Sequence, residues 1–124
     1  MKIALSNVKS IDEICKSKNA ICRVCLDGDN VVGYYTLYDV CDEGCVNNIA
    51  VLKSRQGVGL GNILMQDMIY CAKKNGVIAL TLEVNINNIK AIKLYEKFGF
   101  VTEGVRKKFY NDNEDALIMW LRKL

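Results

Sequence analysis

The residues best suited to chemistry are a run of alternating glycines and, downstream, one carboxylate set among aliphatics. The run is Gln56-Gly57-Val58-Gly59-Leu60-Gly61-Asn62. It joins an apolar stretch, Asn48-Ile49-Ala50-Val51-Leu52, to an amphipathic one from Ile63 to Ala72. Glycines let the main chain approach an anion closely. The first free N–H groups of a helix, with its dipole, then point at that anion. A strand that turns through glycines into a helix start is therefore a cradle for a phosphate. A plain strand-to-helix turn is the competing reading, but three alternating glycines exceed what such a turn requires.

The carboxylate is Glu83, in Leu80-Thr81-Leu82-Glu83-Val84. The chain has no His, so acid–base work falls to carboxylate, Tyr, Cys, Lys or bound water. Alternation alone leaves two readings of Glu83, a solvent-facing side chain and a desolvated base. Farther on, Asn88, Ala91, Ile92 and Tyr95 share one helical face. Asn88 and Tyr95 lie about 10 Å apart along a helix, enough to flank an extended ligand. Spacing by itself equally suits Tyr95 as a core aromatic.

Six cysteines require a decision. Cys22-x-x-Cys25 followed by Cys41-x-x-x-Cys45 superficially has the spacing of a thiolate zinc site. Yet Ala20-Ile21-Cys22-Arg23-Val24-Cys25-Leu26 reads as a strand, which sends the two thiols to opposite faces. The glycine turn of a zinc knuckle is also missing. Buried reduced thiols are the expectation, with no metal.

These residues need elements to hold them. The length of 124 residues, 51% apolar, points to a single domain over residues 1–124 with a core of its own. A net charge of +3 suits a small anionic ligand and does not announce nucleic acid. Lys2 is followed by too short an apolar run for a secretory signal, and no run spans a membrane. A cytoplasmic protein with no membrane partner is expected.

Residues 1–5 read as an opening strand. Ser10-Ile11-Asp12-Glu13 has the form of a capping box, so a helix is expected from Ile11 to Lys18. Strands over 20–26 and 31–39 are joined by the hairpin turn Asp27-Gly28-Asp29-Asn30. A turn at Asp42-Glu43-Gly44 leads to a strand over 45–52. After the glycines, Leu64, Met65, Met68, Ile69 and Ala72 recur at helical spacing, and Asn75-Gly76 stops the helix. A strand follows over 77–84, with Ile78, Leu80, Leu82 and Val84 on one face. Asn87-Asn88 caps a second helix that ends near Phe98, and two closing strands complete an α/β layered domain with a mixed sheet.

Two phosphate motifs fail on spacing. A dinucleotide fingerprint needs glycines at i, i+2 and i+5, but those last positions are Asn62 or Leu64. A Walker loop needs Gly-Lys before Ser or Thr, which is absent. The pattern that fits is Gln/Arg-x-x-Gly-x-Gly/Ala, preceded by Ile49-Ala50-Val51. It is followed by Leu82-Glu83-Val84-Asn85 through Tyr95-Glu96-Lys97-Phe98-Gly99-Phe100, and later by Glu114-Asp115-Ala116-Leu117-Ile118-Met119. These three blocks, in this order over residues 31 to 121, resemble the GNAT superfamily of acetyl-CoA-dependent N-acetyltransferases. Within it they look most like the RimI-type ribosomal-protein-alanine N-acetyltransferases.

The resemblance implies a central mixed, mostly antiparallel sheet flanked by helices, and acetyl-CoA as cosubstrate. It implies that the N–H groups of Gly57, Val58, Gly59, Leu60, Gly61 and Asn62 take the CoA pyrophosphate. Ile49, Ala50 and Val51 would offer main-chain bonds to the pantetheine arm, with Val51 N–H as oxyanion donor. Asn88 would meet the pantetheine amides. Glu83 would be the general base: an α-amine of pKa ~7.7 is mostly protonated at neutral pH, and only the free amine attacks a thioester. Tyr95 would protonate the departing thiolate. Phe109-Tyr110 stands where resembling enzymes hold an acceptor peptide with two tyrosines, so Tyr110 is the expected acceptor contact. Arg106-Lys107-Lys108 reads as a solvated face.

Two features depart from the family. Few residues precede the first meander strand, so a shortened N-terminal helical region is expected, and the turn Asn111-Asp112-Asn113 is short. Both border the acceptor side. The resemblance implies a primary amine as acceptor, the N-terminus of a ribosomal protein, and the two departures leave a small amine or polyamine as alternative. A non-catalytic CoA-binding module is the other function class.

Overall fold

The computed structural model describes residues 2–7, 19–107 and 114–124. Seven strands there form one sheet: β1 (Ile3–Asn7), β2 (Ala20–Asp27), β3 (Asn30–Val40), β4 (Glu43–Val51), β5 (Ala79–Asn85), β6 (Val101–Arg106) and β7 (Ala116–Leu121). Their order is β1-β2-β3-β4-β5-β7-β6. Every neighbouring pair is antiparallel except β4 with β5. The helices are α1 (Leu60–Lys74) and α2 (Ile89–Lys97), and a 3-10 turn spans Lys53–Arg55. The mixed, mostly antiparallel α/β architecture expected from the sequence is what forms. The helix expected over 11–18 lies outside the described residues.

The crossover from β4 to β5 runs through α1, as a parallel pair requires. Helix α1 buries Leu60, Leu64, Met65, Met68 and Ala72 in one core cluster with Tyr35 and Leu37 of β3 and Leu80 of β5. It ends at Asn75, and Gly76 follows at φ +81°. That left-handed residue is cheap only for glycine.

Two local expectations need correction. The turn before β4 is Cys41-Asp42, with φ of +52° and +67°, so Glu43 already belongs to the strand. Positive φ at both central residues is the geometry of a tight two-residue hairpin. Gly44 serves packing instead: a Cβ there would stand 2.6 Å from Leu80 Cδ2 and 3.0 Å from Leu37 Cδ1. The strand expected from residue 77 begins at Ala79. Val77 N–H still donates to Ala72 at the helix end, and Ile78 N–H donates to Asp42. Ile78 is thereby 64% exposed, off the face shared by Leu80, Leu82 and Val84.

A polar network ties α1 to the sheet. Arg23 of β2 donates to both Asp67 oxygens, at 2.9 and 2.8 Å, and the Tyr35 hydroxyl donates to Asp67 at 2.6 Å. Arg23 also reaches Asn7 of β1. Burial pushes the Asp67 carboxyl up, but the hydrogen bonds from Arg23 and Tyr35 outweigh it and hold the group below its ordinary value. Burial and the bond to Asp67 push the Tyr35 phenol well above its own.

Candidate active site

The site is a gap in the sheet. β4 and β5 pair only through Glu43↔Ala79, Gly44↔Leu80 and Cys45↔Thr81. Beyond Cys45 they part. On the other side of β4, Thr36 faces Asn48 but Leu37 faces Val46, so Asn47 is an extra residue. Such a bulge bends the strand that carries it, here at the level where β4 leaves β5.

Two cavities fill the gap. The first, about 640 Å³, is lined by Cys45 to Ile49 of β4, Thr81 to Asn85 of β5, Asn88 and Tyr95. The second, about 520 Å³, runs from Ile49, Ala50 and Val51 along the glycine loop to α2. Ile49, Asn88 and Tyr95 line both, so the two are one groove with a waist at these residues.

Main-chain groups edge this groove. Leu52 N–H donates to Val32 C=O at 2.8 Å, and the register continues through Gly33↔Val51, Tyr34↔Ala50 and Tyr35↔Ile49. An antiparallel ladder alternates hydrogen-bonded with non-bonded pairs. Ala50 therefore turns its main chain to β3, whereas Ile49 and Val51 turn theirs to the gap. The Val51 carbonyl accepts from Gln56 Nε2 at 3.1 Å. Of the three expected main-chain contacts, Ile49 and Val51 are available and Ala50 offers only its side chain.

The glycine run forms a cradle. Gly57 and Gly59 have φ of +83° and +88°, and a Cβ on either would meet no protein atom within 4 Å. Gly59 is the N-cap of α1 with no side-chain cap, and the first turn holds no acidic residue. The leading N–H groups of α1 are thus left to a ligand. Gly61 differs, since a Cβ there would stand 3.2 Å from Leu94 Cδ2 and push α1 from α2. Arg55 anchors the loop's start, donating to Asp27 of β2 at 2.5 Å. Asn62 accepts from Lys97 at 2.9 Å. Val58 lies outside both cavities with its side chain exposed, and the Leu60 side chain is core, so neither side chain offers a polar contact to a ligand.

Glu83 and Tyr95 both line the first cavity. Tyr95 is 7% exposed, its ring tilted against Phe100 at 5.8 Å between centroids. Glu83 Oε1 pairs with Arg106 Nη2 at 3.0 Å, while Oε2 is buried without a hydrogen-bond partner among the described residues. Asn88 lines the waist and also caps α2, its side chain accepting from Ala91 N–H at 3.3 Å. Cys45 lines the outer wall, but partial burial and the Glu43 charge push its thiol up, away from the reactive thiolate.

Tyr110 lies outside the described residues. Arg106, expected on a solvated face, is instead half-exposed on Glu83. Its signal was the register of β6 on β7, which no local pattern carries. Among the described residues no three His, Cys, Asp or Glu side chains gather as a metal group. No helix among them is long and apolar enough to cross a membrane.

A parting strand pair thus opens a groove beside a glycine-lined, uncapped helix start. The chain belongs to the acetyltransferase (GNAT) family, whose sequence profile matches residues 4–100. Its curated relatives include the ribosomal protein bS18-alanine N-acetyltransferases of Haemophilus influenzae and Escherichia coli K12. The first is 36% identical over 98 residues, 76% of this chain and 66% of the relative. The second is 42% identical over 85 residues, 66% of this chain and 57% of the relative. This chain thus matches over less than two thirds of the length of either. The crystal structure of the E. coli ribosomal-protein-S18-alanine N-acetyltransferase superposes with a TM-score of 0.81 at 33% identity, covering 87% of this chain and 72% of that one. A Bacillus cereus acetyltransferase shares the fold over 99% of this chain, with TM-score 0.87 at 18% identity.

Proposed function

We propose that this protein transfers the acetyl group of acetyl-CoA to the N-terminal amine of a protein, as the names of the bS18-alanine relatives indicate for them. One observation carries the reading. A single groove joins an uncapped, glycine-lined helix start at one end to a carboxylate at the other, with Tyr95 at the waist.

The residues present fit the coenzyme. Gly57 and Gly59 leave open the space a Cβ would fill, and the first N–H groups of α1 match a pyrophosphate. The outward main chain of Ile49 and Val51 suits the amides of a pantetheine arm. Bound there, the coenzyme supplies an activated thioester. Glu83 takes a proton from the ammonium group, directly or through water, and frees its lone pair. Val51 N–H stabilises the oxyanion formed as nitrogen bonds to the carbonyl carbon. Tyr95 gives its proton to the departing sulfur as the C–S bond breaks. The bonded nitrogen passes its remaining extra proton to the deprotonated Tyr95 oxygen, directly or through water, and Glu83 releases its own proton to solvent.

An acceptor screen tests the proposal. Thiol release from acetyl-CoA is measured with peptides that differ in their first residues, with lysine peptides and with polyamines. Turnover of an alanine-first peptide is expected. Preference for a polyamine or small amine would move the acceptor class. Tight CoA binding with no turnover on any amine would make this a non-catalytic CoA-binding module.

A further inference from the structure

We propose that Arg106 is a positioning residue for Glu83, holding the carboxylate so that one oxygen is left to take the acceptor's proton. The inference rests on the reading of Glu83 as general base.

The sheet register brings the two together. Across β7, Glu83 stands in a row with Ile118 and Gly104, and Asn85 stands in the next row with Ala116 and Arg106. Directly opposed residues of antiparallel strands share a face, as do residues two apart on one strand. Glu83 and Arg106 therefore lie on the same face, two strands across and two residues along, or about 12 Å between main chains. Only a long side chain spans that distance. Its path crosses β7 between Ala116, a single methyl, and Ile118. The far end of the Glu83 row is Gly104, which adds no side chain. On β6, therefore, no side chain stands between Arg106 and that path.

The pair is also one-sided. Arg106 takes Oε1 at 3.0 Å and leaves Oε2 buried without a hydrogen-bond partner among the described residues, on a residue that lines the first cavity. A carboxylate fixed by one oxygen cannot rotate freely about its last torsion, so the second oxygen has a set direction. With Arg106 54% and Glu83 28% exposed, the ion pair adds little to stability. Its effect on the reaction is separable from any effect on folding.

The test is a double-mutant cycle in steady-state kinetics, with the best amine from the acceptor screen held saturating and acetyl-CoA varied. Arg106→Met keeps the apolar stem over Ala116 and removes the guanidinium. It is expected to lower kcat about tenfold, within the range for coupled neighbours, with KM for acetyl-CoA within about twofold. Arg106→Lys recovers part of the loss, because it keeps the charge without the planar fork. In a Glu83→Gln background, Arg106→Met should cost nothing further. Full kcat in Arg106→Met, or the same fractional loss in both backgrounds, overturns the positioning role while leaving Glu83 as base. Full activity in Glu83→Gln overturns the reading of Glu83 and this proposal with it. Thermal melts of each variant show whether a lost activity is a lost fold, and in that case Arg106→Lys decides alone.

Discussion

Gly59→Ala separates the cradle from ordinary backbone demand. Gly59 sits at φ +88° and ψ 9°, and an added Cβ would have no protein atom within 4 Å. The substitution therefore costs only the left-handed backbone penalty, about 1–2 kcal/mol. Gly76, just past the other end of α1, is matched to it, with φ +81° and equally open space. For a domain of this size each variant should lose roughly 3–6 °C in Tm per kcal/mol. Only Gly59 borders the groove. There the new methyl occupies the space where a pyrophosphate would approach the first N–H groups of α1. Lengthening one or two charge-assisted hydrogen bonds costs about 1.5–3 kcal/mol, or roughly 10- to 150-fold in Kd. Calorimetry with CoA on both variants, beside thermal melts, is the assay. Similar melting losses with weakened CoA binding in Gly59→Ala alone are expected. If the two variants bind CoA equally, the loop is a strand-to-helix turn and the phosphates lie elsewhere.

The remaining predictions concern the site and its frame. Glu83→Gln should lower kcat about 10²- to 10⁴-fold with Kd for CoA within about twofold, because it removes a base and leaves the coenzyme end untouched. Tyr95→Phe should lower kcat about 10²-fold by slowed thiol release, while its ring keeps the packing on Phe100. Asp67→Ala should cost about 2–4 kcal/mol in urea unfolding, since it leaves Arg23, only 17% exposed, as an unpaired charge against the sheet. The native Asp67 carboxyl lies below its ordinary value, so its contribution is complete above the unfolded pKa of ~3.9 and is lost as pH falls through the lower folded value. The gap in stability between wild type and Asp67→Asn should accordingly narrow in acid and stay constant from pH 6 to 8.

What the sequence made legible was local. The glycine run, the helical face of α1, Asn88 as a cap and Asn75-Gly76 as a stop are each decided within one turn of chain. The alternating strand pattern placed Leu80, Leu82 and Val84 in the core without knowledge of their neighbours. What escaped depends on register. Arg106 reaches Glu83 only because β7 lies between their strands, and Arg23 meets Asp67 across 44 positions of sequence. Gly44 looked like a turn glycine because turns favour glycine. The parallel contact with Leu80, which gives it its real constraint, is invisible from either segment alone. Ala50 likewise could not be told from Ile49 and Val51 until the ladder with β3 fixed which carbonyls point outward.

The site follows from one unfinished strand pair. A parallel pair needs a crossover, and α1 supplies it, so the helix start lies at the end of the very strand that parts from its neighbour. Had β4 and β5 paired along their full lengths, the N–H and C=O groups of Ile49 and Val51 would be satisfied within the sheet and closed to a ligand. Three paired residues hold the sheet together, and the bulge at Asn47 bends β4 just beyond them. An extended ligand with amides of its own can then complete the ladder in the way a peptide adds a strand to a sheet edge. Affinity of that kind rests on main-chain groups, which substitution of most side chains leaves in place. On the proposed reading the reaction falls to the side chains of Glu83 and Tyr95, with Arg106 on Glu83, and this is where side-chain changes should register as rate rather than as binding.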